Sequence, residues 1–130
     1  MLKAKKAMGY NQRKLMNFYE TLFVVKPTLT EEEITAQINR IKDVLTKENA
    51  ELIAEDVMGM RKLAYPVDKH LRGYYTVLYY KAEGASIAEI ERNLKINESI
   101  IKFLSVKYSK KKEIAHFEKM TEAAKKKESK

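Results

Sequence analysis

The stretch Met58-Gly59-Met60-Arg61-Lys62-Leu63-Ala64-Tyr65-Pro66-Val67, answered by Arg72-Gly73-Tyr74-Tyr75-Thr76-Val77-Leu78-Tyr79-Tyr80, decides how this chain folds. It reads as a long hairpin. The second arm is nearly all aromatic and β-branched, residue types that fit a pleated surface. Gly59 inside the first arm points to a bulge or a close backbone approach. Pro66 cannot donate to a strand ladder, so it points to an edge strand or a strand end. Arg61 and Lys62 are neighbours, and neighbours on a strand point to opposite faces, so one of them faces away from any core. Residues 67–72 are mostly polar and charged and too many for a two-residue turn, so an exposed loop is expected there.

Working outward, residues 18–25 (Phe-Tyr-Glu-Thr-Leu-Phe-Val-Val) form an apolar run closed by Pro27. This is a strand buried on much of both faces, with Tyr19, Thr21, Phe23 and Val25 toward the core and Glu20 on the other side. Thr30 with Glu33 makes a capping box, and Leu29 with Ile34 a hydrophobic staple. Ile34, Ile38, Ile41 and Leu45 follow as a helical stripe that frays near residues 47–49. After the hairpin, Gly84 and Ala85 form a short connection, and Ser86 with Glu89 a second capping box. It opens a helix with Ile87, Ile90 and Leu94 facing inward. Residues 100–108 alternate as a last strand.

The element order is strand, helix, strand, strand, helix, strand. Right-handed crossovers turn this into an α+β, ferredoxin-like βαββαβ split sandwich. Its antiparallel four-stranded sheet has strand order 4-1-3-2, with two helices on one face. The other face is expected to be bare and available for binding.

Size and charge set the organisation. The 130 residues are one domain with tails, and the net charge is +8. Residues 1–16 contribute +5, residues 17–108 contribute −1, and residues 109–130 contribute +4. The excess charge therefore lies in a basic N-terminal extension (1–16) and a basic C-terminal tail (109–130), flanking a near-neutral domain (17–108). The extension is expected to be mobile. It reads equally as a transit-like segment, an RNA-contacting arm or a dispensable addition, with Met16 an alternative start. In the tail, Ile114, Phe117 and Met120 are spaced for a weak amphipathic helix, marginal by itself in water. No apolar run approaches a membrane span, so no membrane partner is expected.

Catalysis has little support. The chain has no cysteine and two histidines, His70 and His116, neither at metal-ligand spacing. No phosphate loop or nucleophile motif occurs. No catalytic residue, metal or cofactor is expected. The basic residues Arg61, Lys62, Lys69 and Arg72 cluster around the hairpin. Lys95, Lys102 and Lys107 lie around the last strand, where they are read as one surface strip. Singly these are solvated charges, but as groups on a neutral sheet they suit a phosphate-contacting rim.

The quoted motifs resemble the bacterial small-subunit ribosomal protein six family. The matching stretches are Tyr19-Glu20, Lys26-Pro27-Thr28-Leu29, residues 59–66 with Gly73-Tyr74, and Leu94-Lys95-Ile96 leading to Val106-Lys107. The likeness spans residues 17–108 in register. It implies a structural, non-enzymatic constituent of the small ribosomal subunit in the cytoplasm. It further implies binding to the central domain of small-subunit ribosomal RNA, as a heterodimer with ribosomal protein eighteen on the platform. Arg61 and Lys62 carry over most directly as basic family positions, and Lys95 and Lys107 also match. Two other readings compete. One is a ferredoxin-like regulatory or small-molecule-binding domain with its ligand on the sheet face. The other is a single-strand RNA binder that stacks bases on Tyr75 and Tyr80.

Overall fold

The computed structural model describes residues 16–128. The extension at 1–15 and the last two residues lie outside the described residues. The elements are β1 (Met16–Val25), α1 (Glu31–Lys47), β2 (Glu51–Val67), β3 (His70–Glu83), α2 (Gly84–Ile96), β4 (Ile100–Tyr108) and α3 (Lys111–Glu128). The sheet is antiparallel with order β2-β3-β1-β4, the expected order read from the other edge. Pro66 is accordingly on an edge strand.

β1 is the axis of the sheet. It pairs along its whole length with β3 and over most of it with β4. Its odd-numbered residues Tyr19, Thr21, Phe23 and Val25 are all buried, as the apolar pattern requires. Tyr19, Phe23 and Val25 join Leu78, Tyr80 and Ala82 of β3 beneath Ile34, Ile38, Ile41 and Leu45 of α1 and Ile90 and Leu94 of α2. Thr21 is the polar member of this face. Its hydroxyl lies 2.8 Å from the Tyr80 hydroxyl and 3.0 Å from that of Ser105, so the buried oxygens satisfy one another.

The start of α1 is the expected capping box. The Glu33 N–H donates to Thr30 Oγ1 (3.2 Å), and the Thr30 N–H donates to Glu33 Oε1 (2.9 Å). The Glu33 carboxyl is held below its ordinary range by that backbone donor. The start of α2 differs from expectation. β3 runs directly into the helix at Gly84, and no side chain caps it. The Ser86 hydroxyl instead donates to the Glu48 carbonyl (3.1 Å), serving the end of α1, where carbonyls lack helical partners.

The second face of the sheet is not bare. α3 lies across it, and Phe117, Met120 and Ala124 pack on Phe18, Leu22, Ala54, Met58, Val77, Tyr79 and Tyr108. Phe117 is 1% exposed, its ring 5.1 Å from Phe18, 5.4 Å from Tyr108 and 5.7 Å from Tyr79 by centroids. Lys127 ties the far end of the helix to Asp56 of β2 (2.9 Å). A helix marginal by itself is stable here because the sheet supplies an apolar seat. Beneath it, the Tyr108 hydroxyl donates to the Glu20 carboxylate.

Two outcomes follow. Phe117→Ala is expected to destabilise the fold by roughly 3–5 kcal/mol in equilibrium urea unfolding, the range for an aromatic removed from a core. An unchanged midpoint would mean that α3 is not seated. The second concerns alkaline pH. Burial pushes the Tyr80 phenol up to about 12. Burial and then the Glu20 and Asp56 carboxylates push Tyr79 up to about 12. Tyrosine in an unfolded chain ionises near 10, so the unfolded state loses these protons first as the pH rises. Their contribution is complete below about pH 10 and is lost as the pH rises toward about 12. Urea midpoints measured across this window should fall, and less steeply in Tyr80→Phe.

Candidate nucleic-acid interface

The hairpin overhangs the rest of the sheet. β1 ends at Val25 opposite Tyr74, while β2 and β3 continue to the pair Val67 and His70. Three register shifts interrupt the β2–β3 pairing; the first falls between Leu52 and Ala54, and Gly59 marks the second. The pairing register shifts between Val57 and Gly59, and Gly59 has φ +86°, a left-handed value that suits glycine. This is the bulge that a glycine within a strand implies. The third shift, between Lys62 and Val67, is the largest. Lys62 pairs with Arg72 and Val67 with His70, so residues 63–66 stand opposite Leu71 alone.

The excess backbone in β2 places Leu63 inside and Tyr65 outside. Tyr65 then meets β4 from the far edge of the sheet. Lys102 Nζ sits 5.0 Å from the centroid of the Tyr65 ring and 3.4 Å from its hydroxyl. The ring's negative face attracts the ammonium, so Lys102 is drawn to the hairpin. Gly73 lets the arms close. A Cβ at this position would lie 2.2 Å from Val24 Cγ1, a buried side chain with no room to yield.

The tip itself is a correction. A two-residue turn, Asp68-Lys69, replaces the expected loop, and both strands extend to meet it. Asp68 has φ +47° and Lys69 φ +68°, the left-handed pair that a primed hairpin turn demands. Asparagine and glycine usually fill such a turn, and neither is present to announce it. His70 is the first residue of β3 rather than a loop residue.

The basic residues expected to act together separate into groups. Arg61, Lys62, Lys69 and Arg72 are exposed at the hairpin, and Lys102 joins them through Tyr65. Lys95 is exposed in the last turn of α2, and with Lys102 it borders a shallow hollow of about 310 Å³ floored by Leu94, Ile100 and Phe103. Lys107 stands apart. It pairs with Tyr19, whereas Lys102 pairs with Val24, so the two lysines lie at opposite ends of β4 and on opposite faces. The single strip around the last strand therefore does not exist. Tyr65 is the member that sequence reasoning missed. Its signal is an aromatic next to Pro66 on an edge, where the chain can leave the ladder.

The stacking reading fails at Tyr80, which is 0% exposed in the core beneath the helices. The corresponding position on the other face, Tyr79, is covered by Phe117. The same helix fills the middle of the face that a small ligand would need. Among the described residues no group of three His, Cys, Asp or Glu side chains is placed to hold a metal. Among them, too, no helix is long and apolar enough to cross a membrane.

The sheet, its overhanging basic hairpin and its covered faces define a class, a split βαβ scaffold. Comparison with known proteins narrows it. Residues 18–107 match the Ribosomal protein S6 family. The small ribosomal subunit protein bS6 of Sulfurovum sp. (strain NBC37-1) is 73% identical over 111 residues, 85% of this chain and 87% of that protein. The bS6 protein of Campylobacter lari is 53% identical over 110 residues, 85% of this chain and 89% of that one. The crystal structure of 30S ribosomal protein S6 from Thermotoga maritima superposes with a TM-score of 0.72 at 26% identity, covering 82% of this chain and 98% of that one. The chain belongs to the ribosomal protein S6 family and is a structural, non-enzymatic component of the small ribosomal subunit.

Gly73→Ala is expected to cost roughly 1–3 kcal/mol in urea unfolding, because the added methyl overpacks against Val24. If the midpoint is unmoved, the close approach of β3 to β1 is wrong.

Proposed function

We propose that this protein binds the central domain of small-subunit ribosomal RNA together with ribosomal protein eighteen, on the platform of cytoplasmic ribosomes. The observation that carries this reading is the hairpin, which gathers Arg61, Lys62, Lys69 and Arg72 and recruits Lys102 through Tyr65. Arginine and lysine on a projecting ribbon reach phosphate oxygens without a deep pocket. Lys95 borders the same end of the sheet and extends the surface.

The rest of the domain explains the need for a partner. Residues 17–108 carry a net charge of −1, so attraction to RNA at long range is weak. A second basic protein bound alongside neutralises further phosphates and raises avidity without new chemistry here. Leu104 and Val106 on the free edge strand β4 are 56% and 39% exposed, and they offer that partner an apolar surface.

Gel shifts with a central-domain RNA fragment, with and without ribosomal protein eighteen, test this across a salt series. Tight binding is expected only with the partner. Replacing Arg61 and Lys62 by alanine should weaken it. The slope of log affinity against log salt should also flatten, by about 1 for each phosphate no longer neutralised. Tight, specific binding by the protein alone would overturn the paired mechanism. Failure to bind in either condition, with folded protein and competent RNA, would overturn the RNA reading.

A further inference from the structure

Among the described residues, Tyr65 is the one aromatic side chain that the fold leaves exposed. It is 59% exposed, and Ala64 and Pro66 on either side are exposed as well, while Leu63 turns inward. β2 gives up ladder pairing to present it, since residues 63–66 stand opposite Leu71 alone. Pro66 has no N–H to lose at such a place, and its ring fixes φ where the chain leaves the ladder. The core gains little from a phenol held this way.

The contact with Lys102 does not close off the ring. Lys102 Nζ is nearer the Tyr65 hydroxyl (3.4 Å) than the ring centroid (5.0 Å), so the ammonium sits toward the hydroxyl end rather than over the ring centre. Among the described residues, no other ring or cation meets Tyr65.

The surroundings of the ring are cationic. Residues 58–72 hold four Lys/Arg against one acid, Asp68. Lys102 also borders the hollow that it shares with Lys95, so positive charge continues from the ring around the edge of β4. Among the described residues, none of Arg61, Lys62, Lys69, Arg72, Lys95 and Lys102 forms an ion pair. Free cations around an exposed ring are the parts of a single-strand site, in which the ring takes a base and the cations take the phosphates beside it. An acidic protein segment would use the cations and leave the ring without a planar partner. A duplex keeps its bases stacked inside and cannot offer one.

We propose that Tyr65 is a stacking platform for the base of an unpaired nucleotide, whose flanking phosphates meet Lys102 and the cations of the hairpin. This rests on the RNA reading of the hairpin and adds to it a requirement for single-stranded RNA. Every base has a π-face, so the platform selects strandedness rather than sequence. Lys102 is a compact point charge, kept beside the ring by the Tyr65 hydroxyl, where the phosphate of a stacked nucleotide arrives.

The test uses the full chain at low salt with two probes, a short single-stranded RNA containing 5-iodouridine and an RNA duplex of the same length. Ultraviolet crosslinks are mapped by mass spectrometry, and melting curves establish that each variant folds. The wild type should prefer the single strand and crosslink at Tyr65. Tyr65→Phe should keep that preference. Tyr65→Leu should lose the crosslink and roughly tenfold in single-strand affinity, with duplex affinity unchanged. Lys102→Gln should keep the crosslink at Tyr65 and flatten the slope of log affinity against log salt by about 1. Equal affinity of the wild type for the two probes, or a loss in Tyr65→Leu that is the same on both, would overturn the platform and leave the phosphate reading of the hairpin standing. A crosslink confined to other residues would do the same. No binding of either probe by folded wild type would overturn the RNA reading along with the platform.

Discussion

β1 must be buried on both faces and paired on both edges, and the rest of the architecture follows from that requirement. Tyr19, Phe23 and Val25 need cover on one side, and Phe18 and Leu22 need it on the other. The two crossover helices supply the first cover. They cannot reach the second, so α3 comes back across the sheet to provide it. With both faces covered, neither face of the sheet itself is left open to other molecules. Arg61, Lys62, Lys69 and Arg72 accordingly lie on the hairpin, which extends beyond β1.

Much of this is legible in the sequence because the determining signals are local. The Thr30 and Glu33 box, the Ile34 to Leu45 stripe and the two-sided run in β1 each settle an element within a few residues. Gly59 and Pro66 announce a bulge and an edge, and both are observed. What escapes is long-range. The seating of α3 depends on Phe117 meeting Phe18, Tyr79 and Tyr108, from three strands that no single window contains. Ser86 misleads because its capping pattern is satisfied on paper, while in three dimensions the carbonyl of Glu48 lies closer to hand.

The candidate site is legible in composition and less so in geometry. Four of its cations lie on the hairpin, and their clustering needs only the pairing of the two arms. Lys102 comes from the opposite edge, and only the outward swing of Tyr65 accounts for its arrival. Lys107 is close to Lys102 along the chain, but strand alternation and length separate them in space. Charge per segment is informative throughout. It locates the excess outside the strands and helices of the split sandwich.

The Asp68-Lys69 turn also bears on the order in which the sheet assembles. Two side-chain-bearing residues in left-handed geometry each cost on the order of 1–3 kcal/mol, and the adjacent irregularity removes ladder bonds between Lys62 and Val67. Such a turn cannot nucleate its own hairpin. β2 and β3 must instead zip from the stretch where Glu55, Asp56 and Val57 face Leu78, Val77 and Thr76, already braced by both helical layers. The tip closes last and opens first, so the basic hairpin is also a part of low local stability. A surface of that kind can adjust its backbone to an incoming polyanion while the domain behind it stays fixed.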